Sequence, residues 1–336
     1  MKAIILVGGE GTRLRPLTYE MPKQMLPLLG RPFIEHVCEF LAQHGITDVV
    51  LSLGYKPHSF LEAYPDGIIA GVRVDYVTEP APLDTAGAIR FAAVTAGITD
   101  TFVVMNGDVF TDFDLSALVS FHQERQAWAT ISLQPVEDPS RFGVVVTDEH
   151  GRVESFIEKP PRDEAPTNLI NAGTYVMDPA VLTVIRGEGR VSVEREVFPA
   201  LAELGTLFAL PADDSYWLDS GTPVAFLQGS YHLLSRPGTP GVVDGNWVHP
   251  DASVHASAVI EGSVIDRACV VGANAVVRNA MLMPGVIVDE GALIEGSIVG
   301  PRATIGTRAE LRPTSVVAAD YLVPAETVAD DDARLA

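Results

Sequence analysis

From Ile265 onward, aliphatic residues fall at a fixed step. Ile265, Val271, Val277 and Met283 lie six residues apart; after a five-residue step come Val288 and Ile294, and after another come Val299, Ile305, Leu311 and Val317. A six-residue period fits neither an α-helix, which repeats about every 3.6 residues, nor a flat sheet strand, which alternates. It fits a solenoid of short strands, each placing one aliphatic side chain inside, with successive coils stacked to share a core. Valine, glycine and alanine dominate the stretch, and β-branched side chains are stiff in a helix. The repeat predicts a β-helix over 247–325, about four coils if each takes three hexapeptides.

The rest of the chain has another rhythm. At 336 residues it exceeds what one compact core usually covers. Over 1–235, short apolar runs alternate with amphipathic stretches: "KAIILVG" is a buried strand, "FIEHVCEFLAQH" puts Phe33, Ile34, Val37 and Leu41 on one helical face, and "DVVLSLG" and "TFVVMNGD" are again strands. Such βαβ alternation means an α/β fold with a Rossmann-like, mostly parallel sheet covered by helices. After Gly143 the pattern turns β-rich, with a hairpin whose turn is near Asp148 to Gly151 and a strand at "LINAGTYVM", pieces that suit a lobe beside the sheet. Residues 236–246 are proline- and glycine-rich and read as a linker, and 326–336 read as a short acidic, disordered tail.

The formal net charge of -21 argues against nucleic acid and anionic membranes as partners. Basic residues nevertheless gather early, at Lys2, Arg13, Arg15, Lys23 and Arg31. The two cysteines, Cys38 and Cys269, are far apart, which disfavours a disulfide and points to a reducing, cytoplasmic setting. No apolar run is long enough for a membrane span.

Chemistry concentrates in "LVGGEGTRLRPLTYEMPKQMLP". Gly8, Gly9 and Gly11 after the first strand let backbone N–H groups approach a phosphate or base closely, and Arg13 and Lys23 supply charge for a triphosphate and departing pyrophosphate. The spacing is neither the dinucleotide fingerprint nor the P-loop. Asp108 in "NGD" and Asp219 in "YWLDSG" end strands before turns; together they would suit one Mg²⁺ held against phosphate oxygens, although an aspartate in such a place is as often an Asx turn. Glu158 and Lys159 in "FIEKP" start on opposite faces of a strand, either as a surface ion pair or with Lys159 on a phosphate and Glu158 on sugar hydroxyls. Asn171, polar in an apolar strand, is a buried structural amide or a sugar contact. His249 and His255 precede the main repeat and are more simply surface residues than acyltransferase catalysts.

Taken together, "GGEGTRLRPLT", "PKQMLP", "TAGAI", "NGDV", "GVVV", "EKP", "INAG" and "WLDSG" resemble, in that order, the sugar-1-phosphate nucleotidyltransferases, most of all their mannose-1-phosphate guanylyltransferase branch, to which "SVEREVFPAL" is also similar. The resemblance covers nearly the whole chain. It implies that the repeat is a short left-handed β-helix, and that a nucleoside triphosphate, GTP in this branch, reacts with a sugar 1-phosphate to give an NDP-sugar and pyrophosphate. It implies nucleotide contacts at Leu6, Gly8, Gly9, Gly11, Thr12, Arg13, Lys23, Gly87 and Asp108, with Pro82 to Ala88 facing the base. It further implies sugar-phosphate contacts at Gly143, Glu158, Lys159 and Asn171, Mg²⁺ on Asp108 and Asp219, and catalysis by Arg13, Lys23, Asp108 and Asp219. A homo-oligomer joined through the open β-helix is expected. Two positions depart from the family pattern: Asp84 stands where glycine is more frequent, and Gln24 is similar to the thymidylyltransferases. Other readings are a glucose-1-phosphate thymidylyltransferase, a guanylyltransferase for an unusual sugar or cyclitol phosphate, and a non-catalytic NDP-sugar-binding subunit.

Overall fold

The computed structural model describes residues 1–187, 189–212 and 215–336 and divides into two compact units, Met1–Gly9 with Ile34–Trp217, and Glu10–Phe33 with Leu218–Ala336.

In the first unit the strands β1 (Lys2–Leu6), β2 (Asp48–Leu53), β3 (Val72–Thr78) and β4 (Phe102–Asn106) form a parallel core in the order β4-β1-β2-β3. Their apolar runs are buried on both faces, as a helix-covered parallel sheet requires: Ala3, Ile4 and Ile5 of β1 and Phe102, Val103 and Val104 of β4 are fully buried. Helix α1 (Phe33–Gln43) buries Phe33, Ile34, Val37 and Leu41, the stripe expected from the sequence. Helix α2 (Asp84–Thr95) packs with small residues, Ala86, Ala92 and Ala93, around Ile89. Helix α3 (Leu115–Arg125) starts at Asp114, whose carboxylate accepts from Ala117 N at 3.1 Å.

The β-rich segment is not a separate lobe. Strands β5 (Ala129–Pro135), β6 (Gly143–Thr147), β7 (Val153–Glu158), β8 (Leu169–Met177) and β9 (Leu207–Pro211), together with the short edge strand Ile68–Ile69 beside β3, extend the same sheet to ten strands. The joint is β8, which pairs antiparallel with β4, Tyr175 opposite Val104, and carries the β6–β7 hairpin beyond it. Tyr175, fully buried, anchors this side of the core against Phe198.

The second unit holds residues 10–33, helix α4 (Pro223–Ser235), capped by Thr222, and a left-handed β-helix of three parallel ladders. Along the first ladder Val248, Ile265, Leu282, Val299, Val317 and Leu335 stand in register, which makes five coils where about four were expected. The fourth inward residue of the main repeat is Leu282; Met283 is the neighbour that a strict six-residue count selects, and the five-residue step falls one strand earlier. The acidic tail is not disordered. Val328–Ala329 pairs with Glu310–Leu311 and Arg334–Leu335 with Val316–Val317, while Asp330 meets Arg312 at 3.3 Å and Asp332 accepts from the Thr314 hydroxyl, so the carboxylates are matched to the preceding coil. His249 and His255 accept, through Nδ1, the amides of Asp251 and Ser257 in turns of the first coil. Among the described residues no helix is long and apolar enough to cross a membrane.

Candidate active site

Because β1 to β4 run parallel, their carboxyl ends share one edge, where open α/β sheets bind ligands. Gly8 and Gly9 follow β1, Gly54 follows β2, Glu79 follows β3, and Gly107 and Asp108 follow β4. The ladder continues past the strands, with Val7 N to Ser52 O at 3.1 Å, Glu79 N to Leu53 O at 2.9 Å and Gly107 N to Leu6 O at 2.9 Å, so Leu6 sits where three segments are tied. A Cβ on Gly54 would lie 2.9 Å from Gly8 Cα, and one on Gly8 would lie 3.3 Å from Glu79 Oε1. Among the described residues nothing would stand within 4 Å of a Cβ on Gly9. The result is a bare backbone turn with a carboxylate against it.

That carboxylate is fixed at both oxygens: Oε1 accepts from Ser52 Oγ at 3.3 Å and Oε2 from Leu83 N at 3.2 Å. Burial pushes the Glu79 pKa up, opposed by these two bonds. The chain then enters α2 through Asp84, whose φ of 57° is the left-handed conformation that glycine adopts most readily. Arg190 holds it, its Nε and Nη2 donating to Asp84 Oδ1 at 3.0 and 2.7 Å. Thr85 and Glu194, with Thr85 Oγ1 to Glu194 Oε2 at 2.9 Å, complete the clamp. Gly87 lies inside it, its N–H given to Val191 O at 3.2 Å, and a Cβ there would meet Leu83 Cβ at 2.9 Å. Gly87 therefore serves close packing, and its amide is already engaged.

Around Tyr175 the structure gathers three sequence-predicted residues. Burial above all, with the carboxylates of Glu194, Glu158 and Asp108, raises the phenol pKa, while a hydrogen bond from Asn171 Nδ2 at 3.0 Å opposes. Asn171 Oδ1 accepts from Gly173 N at 2.9 Å, so the amide is satisfied and shapes the irregularity in β8. Gly143 faces Glu158 across the β6–β7 pair, and a Cβ on it would meet Phe156 Cζ at 2.3 Å and Glu158 Oε2 at 3.1 Å. Glu158 and Lys159 do not stay on opposite faces: Lys159 leaves the strand at φ 51° and brings Nζ to 2.9 Å from Glu158 Oε1.

Arg13 and Lys23 belong to the second unit. Residues 10–33 fold back on themselves: Gly11, at φ 62°, packs on Lys23 and Thr18, and the Thr18 hydroxyl donates to Gly11 O at 2.9 Å. Thr12 and Arg13 form the 3₁₀ turn after Gly11, and Lys23 opens another. Arg13 Nη2 stands 3.9 Å from Asp219 Oδ2, and Asp219 Oδ1 accepts from Gly221 N at 2.8 Å, the Asx turn that the residue pattern allowed. Gln24 is buried, and its Oε1 finds no donor among the described residues.

This arrangement has relatives. The family model described as nucleotidyl transferase matches residues 2–236. The chain belongs to that family. A second model, described as the GMPPB C-terminal domain, matches residues 242–333. The mannose-1-phosphate guanylyltransferase of Mycobacterium tuberculosis is 43% identical over 84% of this chain and 80% of its own length. A probable mannose-1-phosphate guanylyltransferase of Oryza sativa subsp. japonica is 36% identical over 96% of this chain and 92% of its own. The crystal structure of a putative glucose-1-phosphate thymidylyltransferase from Bacillus anthracis, in complex with sucrose, superposes with a TM-score of 0.62 at 27% identity, covering 68% of this chain and 94% of that one.

In this nucleotidyl transferase, sequence reasoning missed Glu79 and the Arg190–Asp84 clamp. A signal for Glu79 existed, since the alternation of "VRVDYVT" ends on an acid at the same sheet edge as the glycines. None existed for Arg190, which lies 106 residues from its partner.

Proposed function

We propose that the enzyme transfers a guanylyl group from GTP to mannose 1-phosphate, giving GDP-mannose and pyrophosphate. The relatives' names support the sugar, and one observation supports the base: a carboxylate, Glu79, fixed against the Gly8 turn. Guanine presents N1–H and its 2-amino group side by side, and a carboxylate accepts from both. Uracil and thymine offer one ring N–H, and adenine sets a lone pair beside its amino group, against the carboxylate's charge.

The roles follow from charge and position. Leu6, Gly8, Gly9, Gly11 and Thr12 form the backbone around the nucleotide, and Arg13 and Lys23 neutralise the triphosphate. Gly143, Glu158, Lys159 and Asn171 receive the sugar phosphate. A phosphate oxygen of that substrate attacks the α-phosphorus in line; the bond to the bridging oxygen breaks, and pyrophosphate leaves with the electron pair. The nucleophile is already an anion, so positioning and charge neutralisation carry the rate and no strong base is required. Asp108 and Asp219, carboxylates in strand-end turns, have the all-oxygen chemistry that Mg²⁺ takes and would hold it. When bound, the ion offsets phosphate charge.

We place the enzyme in a reducing compartment, the cytoplasm, because Cys38 and Cys269 are buried and unpaired. A homo-oligomer joined through the β-helix fits the outward column of Val270, Ile287, Thr304 and Leu322, whose three aliphatic members are each more than 40% exposed, and light scattering tests it.

The test of function is pyrophosphate release with Mg²⁺, crossing GTP, dTTP, UTP, ATP and CTP against mannose 1-phosphate and glucose 1-phosphate. Release confined to GTP with mannose 1-phosphate is expected. A preference for dTTP with glucose 1-phosphate, or silence with binding of NDP-sugars, would overturn the assignment.

A further inference from the structure

The cation-bearing segment 10–33 and the β-helix belong to one compact unit, and named contacts join them. Past the Lys23 turn, Pro27–Leu28 and Arg31–Pro32 pair as a two-residue hairpin whose tip, Leu29 and Gly30, has φ of 47° and 75°. Trp247, in the strand Asn246–Val248 that begins the first ladder, is seated on that tip. A Cβ on Gly30 would lie 2.4 Å from the indole Cη2, and one on Gly241 would lie 2.8 Å from its Nε1. The ring is thus held between two glycine backbones, each in the left-handed region, with no room for a side chain on either. On the other side of Lys23 in sequence, Glu20 Oε2 stands 3.6 Å from Arg302 Nη2, whose guanidinium is already fixed by Asp320 at 2.6 Å.

From the hairpin to Lys23 the connection is stiff. Phe33 N donates to Leu26 O at 3.0 Å and Leu26 N to Lys23 O at 3.2 Å, so a displacement of the tip is passed to the turn that carries the lysine. We propose that Trp247 and Arg302 are positioning residues of nucleotidyl transfer: the β-helix sets where Lys23 and Arg13 stand by gripping their segment at Gly30 and Glu20. The proposal rests on those two cations acting on the triphosphate. It gives the β-helix a part in the reaction without contact to substrate.

The experiment measures steady-state kinetics for Trp247→Ala, Trp247→Phe, Gly30→Ala, the double variant Trp247→Ala with Gly30→Ala, and Arg302→Gln, each beside a thermal melt. With Trp247→Ala the KM for GTP is expected to rise about tenfold, since small misplacements of charged groups carry large kinetic effects, while the KM for mannose 1-phosphate stays within about twofold. Trp247→Phe should restore most of the loss. Gly30→Ala should show the same split, and the double variant should be no worse than the worse single one, because removing the indole makes room for the methyl. Should Trp247→Ala not fold, Arg302→Gln, at an exposed ion pair, carries the test, with a smaller rise confined to GTP. An unchanged KM for GTP in folded variants, or an equal rise for both substrates, would overturn the proposal. The wild-type substrate grid decides the base and sugar separately: if another nucleotide is preferred, the same variants are measured with it.

Discussion

Replacing Gly54 by alanine separates scaffold from site on the first unit's edge. The added methyl would stand 2.9 Å from Gly8 Cα and 3.0 Å from Gly8 O, both backbone atoms that cannot rotate away. Reaching ordinary contact at 3.4 Å requires the Gly8 turn and the β2 terminus to part by about 0.5 Å. Overpacking of this kind costs about 1–3 kcal/mol, or a melting temperature lower by roughly 3–9 °C for a domain of this size. The turn moves with its amides, and since a 1 Å misplacement costs about a hundredfold in rate, half of that predicts about a tenfold fall in kcat/KM for GTP. Gly9→Ala is the matched control. Its methyl meets no atom of the described residues within 4 Å, so the melting temperature should hold while kcat/KM for GTP falls at least as far, because the methyl occupies the nucleotide's approach. Differential scanning fluorimetry and pyrophosphate release read both variants. A destabilised Gly54→Ala with wild-type kinetics would refute the claim that the turn's position matters, and full activity in Gly9→Ala would remove the nucleotide from that turn.

Further outcomes are as concrete. Asp108→Asn and Asp219→Asn should keep the wild-type melting curve and lose at least about a hundredfold in turnover; near-normal Mg²⁺-dependent turnover in both would sink the metal assignment. Glu79→Gln should reduce discrimination between GTP and ITP, which lacks the 2-amino group, by about tenfold or more; an unchanged ratio of kcat/KM would place guanine elsewhere. His122 is buried with Nδ1 2.9 Å from Thr130 Oγ1, and burial lowers its pKa to about 4 from an ordinary 6.5. The unfolded chain therefore takes up this proton first, so the stability that the neutral ring supports is present above about pH 6.5 and is lost as the pH falls towards 4, a term on the order of 3 kcal/mol. Denaturation midpoints from pH 7 to pH 4 should fall less in His122→Gln than in the wild type; parallel curves would refute the assignment.

What the sequence made legible follows from the range of each interaction. Patterns carried within a few residues were readable: the buried runs of β1 and β4, the stripe of α1, the Asp114 cap and the hexad step all express local geometry. The union of the β6–β7 hairpin with the main sheet was not, because it depends on Tyr175 pairing opposite Val104, and nothing in "LINAGTYVM" names its neighbour. The glycines announced a close approach but not of what; the alternation of "VRVDYVT" pointed to an acid at a strand end, but that Glu79 lies against the Gly8 turn shows only once β1, β2 and β3 lie side by side. The ion-pair reading of Glu158 and Lys159 matches the structure, but their expected opposite faces do not, because strand alternation stops where the backbone turns left-handed, and that φ belongs to the residue after the strand.

The inward positions of the β-helix advance from Ile265 to Leu282 to Val299 in 17-residue coils, and then to Val317 and Leu335 in 18-residue coils. The missing residue is always lost at the corner that leads from the third ladder back to the first, where Ser263 and Ser297 turn their hydroxyls onto carbonyls of the next coil, Val277 and Arg312. Everywhere else a single inserted or deleted residue would turn the following strand inside out. This corner is therefore where such a chain can drift in length between species without surrendering its core. A strict hexad count slips there by one residue, which is how it exchanges Leu282 for Met283.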